Sequence, residues 1–274
     1  MKEVSVNQSQ QSTRRVEFFE LDGVQRENLA ICNFGDSGTG KTRLIATAPG
    51  PVGVIPLDRK TRATVERVRK DLFPDKKILF PREDFIRHGE PMKLAMMSPD
   101  ESIKYYRTHV NKVKDAAYSL AERKDIKTIA IDSGSQLWED ILFANYGRNQ
   151  KIMPRDRGSA NQEMKDFLNS IQNKHLIITH RSREMWVNDK PSGEFDVAGF
   201  NDIGYYVNLL IEHRLRQKPK KGDGNFQVRV KMCQARAGLM FDDRDEIESL
   251  TDELITFQNI AVAVYPDSDF GDWE

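Results

Sequence analysis

The sequence has no run of about eighteen consecutive apolar residues, so no stretch reads as a membrane-spanning helix. Cysteine is scarce. Cys32 and Cys233 are the only two, and both fall in stretches that read as strands. That excludes a disulfide framework and fits a reduced, cytoplasmic setting. No cysteine and histidine cluster has zinc-ligand spacing, and no internal repeat is present. The first residues, Met1 to Thr13, are polar and rich in Gln and Ser, without the apolar stretch of a secretory signal. Residues 1–15 are expected to form a disordered arm.

A charge imbalance is missing too, but only in total. The 274 residues carry 42 basic and 42 acidic side chains. Residues 241–274 hold 11 Asp and Glu against one Arg, Arg244, and are about −10. The other 240 residues hold 41 Lys and Arg against 31 Asp and Glu, about +10. A basic body with an acidic end occurs in nucleic-acid-binding proteins; solvated faces alone would read the same way.

What the chain does contain is Gly35-Asp36-Ser37-Gly38-Thr39-Gly40-Lys41-Thr42, the spacing G-x-x-x-x-G-K-T of a phosphate-binding loop. Glycines allow successive backbone N–H groups to turn inward around anionic oxygens. A helix starting near Lys41 directs its positive end at them. Lys41 can reach the β- and γ-phosphates, and Thr42 can offer a hydroxyl to Mg²⁺. Arg43 follows at the start of the helix and is counted with the nucleotide-binding residues. The short apolar run from Asn28 to Phe34 suits a buried strand, and Thr42 to Ala48 a helix stopped by Pro49-Gly50. Strand, loop and helix in that order are the setting the motif needs.

Further buried strands are expected at Val52–Asp58, Lys127–Asp132 and His175–His180. Between them lie helix-like segments at 61–70, 98–124, 134–146 and 159–173. Ser98-Pro99-Asp100-Glu101 spells a helix start, with Ser98 as cap and Pro99 in the first turn. Residues 71–99 contain four prolines and no clear period and read as a loop-rich insertion. Continuous apolar strands alternating with helices predict an α/β protein with a mainly parallel sheet covered on both faces. After Arg181 the pattern changes. Strands are expected at 184–188, 205–216 and 226–234, forming an antiparallel C-terminal extension. Residues 189–204 read as a loop, 252–264 as a terminal helix or strand, and 265–274 as a mobile end. The core spans 16–240 and the acidic segment 241–274.

Asp132 ends a strand, where ligands bind in open α/β sheets, and suits Mg²⁺ opposite Thr42. Asp58 ends the strand after the loop's helix and can orient or deprotonate water; capping the next helix is its alternative role. His180 ends the fourth strand and can sense the γ-phosphate. Arg236 lies just beyond a strand, as an arginine finger supplied to a neighbouring subunit would; Arg229 and Lys231 are rival donors. Arg148, Lys151, Arg155, Arg157, Arg181 and Arg183, with Trp186 among them, suit backbone phosphates and stacked bases of single-stranded DNA.

Together these landmarks resemble the RecA-type ATPase core, and most closely the phage nucleotide-binding AAA-labelled family that includes RecA-like single-strand annealing recombinases. The resemblance covers about residues 28–240. It implies a RecA-like P-loop NTPase fold, ATP and Mg²⁺ as cofactors, and DNA-stimulated hydrolysis in the host cytoplasm. It also implies self-association as a ring or filament in which subunits share nucleotide sites. Val54-Ile55-Pro56-Leu57-Asp58 is similar to the segment that ends in the catalytic glutamate, here one methylene shorter. Ile178-Thr179-His180 is similar to the segment that carries a glutamine sensor, here His180. Gln234-Ala235-Arg236 is similar to a segment with a lysine and an arginine finger, here with Gln234 for the lysine. The acidic end is similar in composition to the tails of single-strand-binding proteins, which makes such a protein a candidate partner. Phage recombination, annealing or replication-linked repair is the expected role. The rivals are a helicase or packaging motor subunit, a nucleotide-gated DNA clamp with little hydrolysis, and a small-molecule P-loop kinase.

Overall fold

A computed structural model describes residues 28–82, 85, 94, 96–148, 152–216, 225–233, 245, 247–250, 254–266 and 268–273. Its centre is a sheet that begins with β1 (Ala30–Gly35), every residue of which is buried. β2 (Val52–Pro56) and β4 (Thr128–Asp132) are buried throughout as well. Strands covered on both faces need apolar side chains pointing both ways, which is why these segments lack polar alternation. β3 (Ile78–Leu79) is a short edge strand inside the proline-rich segment. β5 (His175–Val187), β7 (Leu209–Leu215) and β8 (Phe226–Cys233) complete the path β3-β2-β4-β5-β1-β7-β8. All neighbours are parallel except β7 and β8.

Helices cover both faces. On one side α3 (Pro99–Glu122), α4 (Gly134–Tyr146) and α5 (Gly158–Ser170) pack through Tyr106, Val113, Ile141, Met164 and Phe167 against Ile129, Ile131 and Ile178. On the other, α1 (Lys41–Thr47), α2 (Thr61–Leu72) and α6 (Phe257–Val264) pack through Leu44, Ile45, Val65 and Ile260 against Ile31, Val54 and Ile177. α3 starts where its sequence says. The Ser98 hydroxyl accepts from the Glu101 N–H at 3.3 Å, and the Glu101 carboxylate accepts from the Ser98 N–H at 2.9 Å. That reciprocal pair satisfies two donors that the first turn leaves free.

Three sequence expectations change. Residues 189–204 are not a loop, because β6 (Lys190–Ala198) pairs antiparallel with the far half of β5. Asn188 and Asp189 both have positive φ and form the tight turn between them. Pro191 and Gly193 hide the strand from a propensity reading, since both are poor strand residues. The strand expected at 205–216 starts only at Leu209; Asn201–Tyr205 is a 3₁₀ turn. The end of the chain is packed rather than mobile over 268–273. Trp273 is buried, stacks on Tyr265 at 5.4 Å between centroids, and donates its indole N–H to Ser268 Oγ at 2.9 Å. The acidic composition does not oppose this packing, because Asp269 and Asp272 stay exposed to water while the indole is buried. Among the described residues no helix is long and apolar enough to cross a membrane.

Candidate functional site

The carboxyl ends of β4, β5 and β1 lie side by side at one edge of the sheet. β1 ends in Gly35, whose φ is +148°, and a Cβ there would run into the His213 carbonyl of β7. Only glycine lets the chain turn so close to the neighbouring strand. The loop then passes Gly38 and Gly40, also at positive φ, and enters α1 at Lys41. The Lys41 ammonium folds back over this loop and donates to Gly35 O at 2.8 Å and Asp36 O at 2.5 Å. Partial burial lowers its pKa, opposed by the nearby carboxylates of Asp132, Asp36 and Asp58. A cation whose hydrogen bonds go to neutral loop carbonyls is ready to exchange them for phosphate oxygens.

Asp132 lies beside the loop at the end of β4 and is 6 % exposed. Three hydroxyls donate to its carboxylate: Thr42 of α1 at 3.2 Å, Thr61 of α2 at 2.7 Å, and Thr179 of β5. Burial raises the Asp132 pKa, and the three hydroxyls pull it back. A hydroxyl and a carboxylate this close are hard oxygen donors that suit Mg²⁺, which keeps waters and takes few protein ligands. Among the described residues no group of three or more His, Cys, Asp and Glu is placed to hold a metal ion.

Asp58 is exposed at the rim, two residues beyond the Pro56–Asp132 register pair. The backbone N–H groups of Leu57 and Asp58 donate to Asp132 O at 2.5 and 3.0 Å, which ties the two acids to one corner. The Asp58 carboxylate accepts from the Lys60 N–H at 2.9 Å, so it also braces the turn into α2. His180 is fully buried. Its Nδ1 lies 3.2 Å from Ser135 Oγ and 3.3 Å from Ala198 O. A carbonyl only accepts, so Nδ1 carries the proton and Nε2 is left as a buried acceptor without a partner. Nε2 sits against Gly134, where a Cβ would come within 2.5 Å. Along β5 it is therefore Thr179 that reaches Asp132, while His180 faces α4 and the base of the hairpin.

The next residue to touch the loop is Ser182, whose hydroxyl donates to the Asp36 carboxylate. From Arg181 onward β5 pairs with β6 as a hairpin that carries Arg181, Arg183 and Trp186; Trp186 is 64 % exposed and Arg183 pairs with Asp196 at 2.9 Å. Arg148, Arg155 and Arg157 lie on the α4–α5 connection, with Arg155 near Asp156 at 3.7 Å and Arg157 donating to Ile152 O at 3.3 Å. Lys151, Arg236 and the Gln234-Ala235 before it lie outside the described residues. The rival finger residues Arg229 and Lys231 both hold Glu194 of β6, at 3.0 and 2.8 Å, and drive its pKa down to about 2.

Sequence reading did not single out Thr61, Thr179, Ser182 or His213. Thr179 had a usable signal: neighbours in a strand point to opposite faces, so Thr179 and His180 cannot share one role. Thr61 and His213 are brought in by strand order and had none.

A glycine loop between a buried strand and a helix, with its lysine and threonine facing a buried strand-end aspartate, defines a P-loop nucleotide-binding protein. The family model described as AAA domain matches residues 27–202. That is well over half of the chain, and the protein belongs to this family. No curated protein matches it significantly. The family and the loop together imply nucleotide binding, typically with Mg²⁺.

Two buried histidines and one half-buried histidine give the fold a pH dependence. His175, His180 and His213 are each lowered from 6.5 to about 4, chiefly by burial. Between those values the unfolded chain binds protons that the folded chain refuses, so stability is full above pH 6.5 and is lost as the pH falls toward 4. Each ring contributes at most about 1.4 kcal/mol per pH unit in that window. Urea midpoints measured from neutral pH downward should fall through it, and replacing the histidines by Gln should flatten the fall; an equal slope in the variants would refute the assignment.

Proposed function

We propose that this protein is an ATPase that binds single-stranded DNA in recombination, annealing or replication-linked repair. We also propose that it assembles so that neighbouring subunits complete each other's nucleotide sites. The observation that carries the reading is the corner where Thr42 and Asp132 meet beneath the Lys41 loop, with Asp58 at its solvent edge. In this reading Lys41 gives up its loop carbonyls for phosphate oxygens, and Thr42 and Asp132 would hold the metal. Asp58 orients the attacking water and accepts its proton. Bound Mg²⁺ neutralises charge on the phosphates. His180, between Ser135 and Ala198 at the foot of the hairpin, passes the state of the site to the DNA-binding arm. The RecA-type resemblance and the basic body support the DNA reading.

A second reading is favoured by one observation. Asp58 is already engaged by the Lys60 N–H and is shorter than a glutamate. That suits a clamp that binds ATP and turns it over slowly. Single-turnover hydrolysis separates the two. For the ATPase, Asp58→Asn should slow the chemical step by roughly 100-fold or more, and Asp58→Glu should keep or raise it. Hydrolysis that is near background in the native protein and unchanged in Asp58→Asn would favour the clamp.

The DNA arm has its own test. A labelled oligothymidylate should bind in a salt-sensitive way, and Trp186→Ala should weaken it by roughly tenfold through lost stacking. No binding at low salt, with or without ATP and Mg²⁺, would remove single-stranded DNA from the proposal.

Shared sites are tested by mixing. Arg236→Ala lacks the proposed finger and Lys41→Ala lacks a working loop, so each can complete a different interface. Mixed assemblies should recover part of the ATPase that either variant lacks alone. No recovery from assemblies of normal size would argue against a finger acting between subunits.

A further inference from the structure

The two sides of the phosphate loop are chemically different. On the β4 and β5 side stand the carboxylate of Asp132 and the hydroxyls of Thr61 and Thr179. On the opposite side β1 pairs with β7, with Gly35 opposite His213. β7 and β8 then continue past the end of β1. Leu215 pairs with Phe226 two residues beyond His213, about 7 Å further along the strand direction. Val228 and Val230, on the same face of β8 as Phe226, are buried in the cluster beneath α1. Phe226 therefore faces the α1 side, at the height of the loop. Its ring lies over Gly40, 3.8 Å from where a Cβ would stand, and Gly40 has φ +90° and no side chain to keep it away. The ring is only partly buried. Arg216 braces this corner from the chain side, donating from Nε to Phe226 O at 2.9 Å.

We infer that Phe226 is the platform on which the base of the bound nucleotide stacks. The inference rests on the nucleotide reading above. The metal-holding corner at Thr42 and Asp132 takes the β- and γ-phosphates, so the α-phosphate, sugar and base extend to the other side of the loop. The aromatic face beside the loop there, among the described residues, is Phe226. His213 lies beneath, buried and neutral, with its Nδ1 donating to Thr39 O at 3.3 Å; it holds the loop against β7 so that loop and ring keep one spacing. An aromatic face accepts any base but overlaps most with the larger purines, so the site takes a purine nucleoside triphosphate and selects weakly between purines.

Calorimetric titration with Mg²⁺ and either ATP or inorganic tripolyphosphate separates the base contact from the phosphate contacts. The native protein should bind ATP more tightly than tripolyphosphate. Phe226→Ala should lose roughly tenfold or more in ATP affinity and keep its tripolyphosphate affinity, and Phe226→Tyr should bind both as the native protein does. ATP affinity unchanged in Phe226→Ala would overturn the inference. An equal loss of both ligands would also overturn it, since the ring would then only support the loop. Native protein that binds neither ligand would sink the nucleotide reading and this inference with it, an outcome distinct from the other two.

Discussion

The burial of one carboxylate organises this molecule. Asp132 is a strand-end acid held almost entirely out of water, where an ionised carboxylate costs on the order of several kcal/mol unless its lone pairs are used. Thr42, Thr61 and Thr179 use them. They come from α1, α2 and β5, so satisfying one side chain fixes the first turn of two helices and the height of a neighbouring strand. The Asp132 carbonyl does the same for the chain at Leu57 and Asp58. The arrangement has a cost that function can exploit. Hydroxyls compensate a buried charge incompletely, and the Asp132 pKa stays raised. A cation at Thr42 would complete what the hydroxyls begin.

β5 distributes the consequences. It is the strand between β1 and β4, and its residues alternate in direction as any strand's must. Thr179 turns to Asp132, His180 turns to Ser135 and the hairpin base, and Ser182 reaches Asp36 of the loop. A single strand thus touches the acid, the phosphate loop and the foot of the hairpin within four residues. The hairpin is pinned at its other edge by Glu194, which holds Arg229 and Lys231 of β8. That exposed carboxylate contributes little stability by itself, but it sets where the hairpin lies.

Much of the fold was legible. Apolar runs bounded by glycine, proline or acids mark β1, β2, β4 and the first half of β5, because strands buried on both faces must be apolar throughout. The Ser98 to Glu101 box marks the start of α3 because its four residues satisfy each other locally. What failed to read was β6, whose Pro191 and Gly193 oppose strand formation and whose pairing is supplied by β5. The buried Trp273 also failed to read: composition counts charges along the chain, whereas packing depends on which single ring meets Tyr265 and Phe257. In the site, Gly35 to Thr42 and Asp132 were legible because their chemistry depends on local spelling. Thr61 was not, because nothing near it in sequence announces an acid 71 residues away.

The sequence by itself therefore determined that a phosphate loop exists, that a strand-end acid accompanies it, and that the sheet is mainly parallel. Those properties follow from short-range spacing and from the side chains that doubly buried strands require. Only the tertiary structure decided that β5 separates the loop strand from the acid strand and that three threonines share one carboxylate. It alone set a phenylalanine from the far end of the sheet over Gly40. Strand order and register set those neighbours, and both are fixed by packing across the whole sheet, which no local stretch of residues encodes.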